Sequence, residues 1–132
     1  ANLLKAVHLN VVMFRDRRKG VRRVYQVAEF IASKEGVTPN IIYRFIPEKD
    51  KIEEHNESLS LFEELSRHTG MSQAEIKREL DKKKSILQWM LKNGLRSLDE
   101  MGKIMNLYYI NQERLLNIIK EGDLKKIFPE KS

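Results

Sequence analysis

The stretch Arg15-Asp16-Arg17-Arg18-Lys19-Gly20-Val21-Arg22-Arg23 sets six cationic side chains around one carboxylate. Guanidinium and ammonium groups at that density recognise phosphates, a nucleic-acid backbone or an acidic protein face, and charge alone does not choose among them. A hairpin end kept soluble by its charge is the plainer reading, and it stays open beside the others. Residues 1–50 hold ten Lys or Arg against five Asp or Glu, and residues 51–132 hold fifteen against fourteen. The formal net charge of +6 is therefore concentrated, along the sequence, in the part that contains the basic loop.

Other chemistry-bearing residues are dispersed. His8, His55 and His68 lie far apart, and only Glu54-His55 and Arg67-His68 have charged neighbours. Each reads as a surface or core histidine, because a catalytic or metal site needs several convergent groups. Glu53, Glu54 and Glu57 read as the solvated approach to a helix. The sequence has no G-x-x-x-x-G-K-[ST] loop, no G-x-G-x-x-G and no H-E-x-x-H, and its lack of cysteine removes disulfides, thiolate nucleophiles and Cys-containing zinc patterns.

The elements that position these residues follow from periodicity. Residues 7–14 alternate Val7, Leu9, Val11 and Met13 on one face, residues 24–31 are rich in β-branched and aromatic side chains, and residues 40–46 form a third extended run. Gly20 separates the first two, Lys34-Glu35-Gly36-Val37-Thr38-Pro39 separates the second from the third, and Pro47 with Glu48-Lys49-Asp50-Lys51 makes a charged turn. Short polar connections predict neighbouring antiparallel strands. Such a partial sheet exposes an apolar edge or face through Val7, Leu9, Val11, Ile41, Tyr43 and Phe45, which favours self-association.

Beyond residue 57 the pattern becomes helical. Ser60-x-x-Glu63, Ser72-x-x-Glu75 and Ser97-x-x-Glu100 are three capping-box starts, and Asn111 is placed to cap a fourth helix. The first helix is expected over residues 59–68 before Gly70, and the second over 73–92 before Asn93-Gly94. Ile76, Leu80, Leu87, Met90 and Leu91 stripe the second, Leu98, Met101, Ile104, Met105 and Tyr108 the third, and Leu115, Leu116, Ile118 and Ile119 the fourth. Lys82, Lys83 and Lys84 interrupt the second stripe, as a solvated face or a partner surface. Trp89, about 100° from Met90 on the helical wheel, either packs against the sheet or serves the same partner surface. Ile127 and Phe128 either dock back or fray.

The predicted fold class is α+β: a small antiparallel three-stranded sheet over residues 1–50, followed by a four-helix C-terminal bundle over residues 51–132. No apolar run approaches the roughly 20 residues that span a bilayer, and the chain reads as cytoplasmic.

The ordered motifs resemble a known family. Asn2-Leu3-Leu4-Lys5-Ala6-Val7-His8-Leu9-Asn10-Val11-Val12, then Gly20-Val21-Arg22-Arg23 leading to Glu29 in the form G-x-R-R-x-x-x-x-x-E, then Tyr43-Arg44-Phe45-Ile46-Pro47-Glu48-Lys49-Asp50, are similar to the C-terminal end of archaeal type II/IV secretion ATPases, the motors of pili and archaella. Gly70-Met71-Ser72, the run from Ile86 through Trp89 to Leu95, Tyr108-Tyr109 and Gln112-Glu113-Arg114-Leu115-Leu116 continue the likeness. The resemblance implies the terminal part of a RecA-like secretion ATPase domain in a cytoplasmic hexamer held at the membrane through partners. Its implied neighbours are an upstream ATPase core, adjacent subunits and a membrane platform protein, with ATP and magnesium bound by the intact family member. Arg22 and Arg23 match the family's paired arginines and, with Arg15, Arg17 and Arg18, are implied as contacts to a neighbouring subunit or to phosphate.

This chain lacks the phosphate loop, magnesium ligand and positioned water that phosphoryl transfer needs, so no cofactor and no ATP hydrolysis are expected of it alone. A basic nucleic-acid-binding hairpin and a helical protein–protein adaptor are the competing functions. A salt titration of duplex DNA binding separates the first of these. The motor reading expects no measurable binding at low salt, whereas an affinity that falls steeply with salt establishes phosphate contacts.

Overall fold

The computed structural model describes residues 6–131, so residues 2–5 of the family-like run lie outside the described part. Two compact units divide after Ile76, and each is described by itself.

The first unit is built on an antiparallel meander. Strands β1 (Leu9–Asp16), β2 (Val21–Ser33), β3 (Gly36–Ile46) and β4 (Lys51–Glu54) pair in the order β1-β2-β3-β4. Among the described residues the sheet thus has four strands rather than the expected three. Lys51-Ile52-Glu53-Glu54 carries too little apolar alternation to signal a strand, and it forms one at the edge because Pro47 and a left-handed Asp50 (φ 49°) turn it back onto Tyr43–Ile46. The second and third strands are also longer than expected. A two-residue turn, Lys34-Glu35, replaces the anticipated connection, with Gly36 at φ 132° and Pro39 inside β3 opposite Phe30. Pro39 is tolerated because β4 pairs only with the far end of β3, so no ladder donor is demanded of it.

Register shifts at Val12/Met13 and Val27/Ala28 bend the two inner pairings. Beyond the first of these, Phe14 meets Tyr25 and Phe45 at ring-centroid distances of 6.2 and 6.1 Å. Val11, Val27 and Tyr43 stand opposite one another across three strands. Val7, Leu9, Val11, Met13 and Tyr43 are exposed, Ile41 is half-buried, and Phe45 is buried instead of joining the exposed face.

Helix α1 (Leu61–Thr69) belongs to this unit. Its expected Ser60 capping box does not form, since the Ser60 side chain makes no cap hydrogen bond to the helix. The cap comes instead from Glu29, a carboxylate on β2 with no solvent exposure. It accepts from the backbone N–H groups of Leu59 (2.5 Å), Ser60 (3.2 Å) and Leu61 (2.8 Å), the hydroxyls of Ser58 and Ser60, and the Asn40 amide at 2.8 Å. Four orphan donors open every helix, and here a strand thirty-odd residues earlier satisfies the first of them. The other end closes on Gly70, whose φ of 73° suits the glycine and whose N–H reaches Ser66 O.

In the second unit, α2 (Gln73–Lys92), whose first turn falls in the first unit, is followed by α3 (Leu98–Ile110) and α4 (Gln112–Glu121). The Ser72/Glu75 and Ser97/Glu100 boxes are both reciprocal. Helix α2 ends as Leu95 N–H reaches Met90 O and Gly94 N–H reaches Leu91 O, the Schellman pattern that drives Leu95 into the interior. The buried cluster comprises Ile86, Met90, Leu95, Ile104, Tyr108, Leu115 and Phe128, with Trp89 partly buried against it. The expected bundle of four helices is therefore three helices and a docked tail, because α1 was spent on the sheet unit. Asn111 is both the last residue of α3's cap and the first of α4's, its side chain accepting from Arg114 N–H.

Burial pushes the Glu29 carboxyl up, but the hydrogen bonds from Leu59, Asn40, Leu61 and Ser58 outweigh it and hold the group at about 2 against an ordinary 4.5. A depressed carboxylate contributes stability above its unfolded pKa and loses it as the pH falls through the folded one. Stability of the sheet unit should therefore decline between pH 4.5 and about 2. Glu29→Gln should remove that dependence and cost about 2 to 4 kcal/mol at pH 7, since it leaves buried donors facing an amide. Hydrogen exchange of the α1 amides at pH 7 and pH 3 checks both, and an unchanged profile in the variant would rule out the cap.

Candidate interaction surfaces

The basic stretch is a hairpin end rather than a loop. Arg17 to Gly20 make the turn, while Arg15 stands on β1 directly opposite Arg22 on β2, and Phe14 opposite Arg23. Asp16 Oδ1 accepts the backbone N–H groups of Arg18 (2.9 Å) and Lys19 (3.2 Å). Those are the donors a turn would offer to a phosphate, and here they are already occupied.

The paired arginines differ in their engagement. Arg23 forms a side-on fork with Asp50, Nε to Oδ1 at 2.8 Å and a terminal nitrogen to Oδ2 at 2.9 Å, while its other terminal nitrogen donates to Arg22 O at 2.9 Å. Asp50 holds the Arg23 guanidinium above its ordinary pKa, and Arg23 holds the Asp50 carboxyl below its own. Three of the five N–H donors of Arg23 are thus engaged, two of them clamping the hairpin to the β3–β4 turn at Asp50. Arg22 is exposed, and Arg15, Arg17, Arg18 and Arg22 have no ion-pair partner among the described residues. Two cations facing each other across β1 and β2 repel, which an anion laid between them would relieve.

The dispersed histidines stay dispersed. His68 lies 3.4 Å from Glu64 one turn away on α1, and among the described residues no group of three or more His, Cys, Asp or Glu is placed to hold a metal ion.

A second surface lies on the helical unit. Ile86, Leu87, Met90, Met101, Ile104, Met105, Tyr108 and Tyr109, with Lys83, line a groove of about 210 Å³ between α2 and α3. Tyr108 donates a hydrogen bond to Glu79. Burial and then Glu79 push the Tyr108 hydroxyl up, and Tyr108 draws the Glu79 carboxyl down. Lys82 reaches Gln112 at 2.9 Å and Glu79 at 3.5 Å. Lys83 stands 5.7 Å from the ring centroids of both Tyr108 and Tyr109. Of the triple lysine, only Lys84 is fully exposed. Trp89 is half-buried on the cluster side. Sequence spacing alone offered the stripe but not the groove, because Leu87 and Met105 look like core residues until the helices are placed.

The structural units also redistribute the charge. Residues 1–76 carry twelve Lys or Arg against eleven Asp or Glu, whereas residues 77–132 carry thirteen against eight. Glu53, Glu54, Glu57, Glu63 and Glu64 fold into the same unit as the basic hairpin and balance it, so the excess belongs to the helices.

A four-stranded meander that caps α1 through a strand carboxylate, followed by helices of which α2 and α3 open on reciprocal capping boxes, defines a small α+β protein. Residues 48–125 match the family model described as "PilB3-like, C-terminal", and the chain belongs to that family of C-terminal segments related to pilus and secretion ATPases. It is also 25% identical over 123 residues to "Uncharacterized protein MJ0781" of Methanocaldococcus jannaschii, an alignment covering 89% of this chain and 17% of that protein. The chain thus spans about a sixth of the length of the relative it matches. No described helix is long and apolar enough to cross a membrane.

Gly102 lies within α3, where an added Cβ would meet nothing within 4 Å. Gly102→Ala should therefore raise stability by about 0.5 to 1 kcal/mol through the helix preference alone. A urea midpoint followed by Trp89 fluorescence reads it, and a loss of stability would reveal a hidden contact at the α3 surface.

Proposed function

We propose that this chain is the C-terminal portion of a hexameric secretion or pilus-assembly ATPase, contributing contacts and mechanical coupling while the nucleotide chemistry belongs to the upstream core. The match of residues 48–125 to the C-terminal family carries this reading. The 17% share of the longer relative is consistent with it. In this reading the sheet unit, which runs on past the expected boundary at residue 50 to Ile76, borders the ATPase core, the unit from Lys77 forms the helical subdomain, and the assembly works at the cytoplasmic membrane beside a platform protein. ATP and magnesium are bound by the parent protein. The exposed apolar row on β1 then meets the upstream core, and the chain without it self-associates.

Within the hairpin the two arginines take separate parts. Arg23, forked onto Asp50, braces the β1–β2 hairpin. Arg22, with Arg15, Arg17 and Arg18, faces a neighbouring subunit or phosphate. The same four cations, unpaired among the described residues, also favour a nucleic-acid backbone as the second reading, which the salt titration separates.

In an intact protein carrying this segment, Arg22→Ala should leave each subunit folded and lower ATP turnover by about tenfold, the scale of one lost charge-assisted contact. Loss of the ring in sedimentation with nucleotide affinity retained assigns Arg22 to assembly, and weaker nucleotide binding in an undisturbed hexamer assigns it to phosphate. Normal assembly together with normal turnover would reduce the hairpin to surface charge.

A further inference from the structure

The groove between α2 and α3 is framed by two exposed seams with the same spacing. On α2 the seam is Leu80, Lys84, Leu87 and Leu91; on α3 it is Leu98, Gly102, Met105 and Tyr109, each stepping by four, three and four residues. Such steps keep a row of side chains on one side of a helix, as in a coiled-coil seam. These side chains are not core: Leu80 is 47% exposed, Leu91 58%, Leu98 90% and Tyr109 68%. Both helices already bury another face, through Ile86 and Met90 on α2 and Ile104 and Tyr108 on α3. Each therefore carries a second apolar face that the unit itself leaves uncovered.

Along the groove lining and both seams the charged residues are Lys83 and Lys84, and the carboxylate beside them, Glu79, is already held by Tyr108 and Lys82. They mark one end, beside Tyr109, while Leu91 and Leu98 form the other, apolar end. The unit around the groove holds thirteen basic against eight acidic residues. Methionines at positions 90, 101 and 105 supply a lining that adapts to varied side chains.

From this pattern we infer that the α2–α3 groove docks an acidic amphipathic helix of a partner protein, its leucine-type face on Leu87, Met105, Leu91 and Leu98 and its carboxylates over Lys83 and Lys84. An apolar ridge entering a groove supplies the affinity, and the cationic end fixes orientation and rejects basic helices. Gly102, at the middle of the α3 seam with open space above it, lets the partner backbone approach closely. The inference stands on the helical unit alone, so its failure leaves the motor reading untouched, and the reverse also holds.

The test uses the whole chain labelled with 13C at its methionine methyls. Three of the five methionines line the groove, and Met13 and Met71, in the sheet unit, serve as internal controls. The probes are synthetic peptides of about 18 residues, roughly 27 Å of helix, with leucines on one face and either glutamates or lysines elsewhere. The glutamate peptide should shift the methyls of Met90, Met101 and Met105 while leaving Met13 and Met71 in place, and should bind about tenfold tighter than the lysine peptide. Lys84→Glu, at an exposed position, should weaken the glutamate peptide, and the Lys83→Glu/Lys84→Glu pair should reverse the preference, with Trp89 fluorescence confirming the fold. Equal binding of both peptides, no groove shifts at millimolar peptide, or shifts confined to Met13 would overturn the inference. Groove shifts that depend on the concentration of the chain alone would overturn it in favour of a second copy.

Discussion

A single buried carboxylate decides how the first unit closes. Glu29 is placed by β2 where no water reaches it, and a charge in that position is tolerable only when donors surround it. The donors come from three sources: Asn40 across the β2–β3 ladder, the serines that precede α1, and the first backbone N–H groups of α1. Because the helix start carries partial positive charge, the carboxylate and the helix satisfy each other. The consequence reaches beyond one cap. Asn40 also donates to Glu57 O, so the segment leading from β4 into α1 is stitched to the sheet at both its backbone and its side chains.

This explains where the sequence pattern was sufficient and where it was not. Local signals held for the helices: Ser72 and Ser97 cap as their spacing predicts, Gly94 ends α2, and Asn111 caps α4. Ser60 has the same Ser-x-x-Glu spacing as the other two and does not cap, because its hydroxyl donates to Glu29, a carboxylate distant in sequence that also takes the Ser60 and Leu61 N–H groups. No window of a dozen residues contains both Glu29 and Leu61. The edge strand β4 was hidden for a related reason, as its pairing is dictated by the turn at Asp50 and by β3 rather than by its own polar side chains.

The candidate surfaces were legible to different depths. Arg15, Arg17, Arg18, Arg22 and Arg23 announce a basic hairpin by composition, and only the fold distinguishes Arg23, held on Asp50, from Arg22, which has no ion-pair partner among the described residues. The groove required pairing α2 with α3, since a leucine at helical spacing looks the same whether the helix beside it is buried or not. Glu100 shows the converse. Its capping role was plain from Ser97-x-x-Glu100, yet its contact with Lys131, which with the Ser97 and Arg96 N–H groups draws the carboxyl to about 2, depends on a tail thirty residues away.

The one-residue joint at Asn111 has a mechanical meaning. Two helices that share a capping residue have no loop to absorb a change of angle, so a rotation imposed on α3 passes to α4 with little slack. A single inserted residue there would turn α4 by about 100° and carry Leu115 and Ile118 off the face they now bury. Length variation among relatives should therefore accumulate in the Arg17–Gly20 turn and avoid this corner, leaving α3 and α4 as a fixed bracket whose orientation is inherited as one piece.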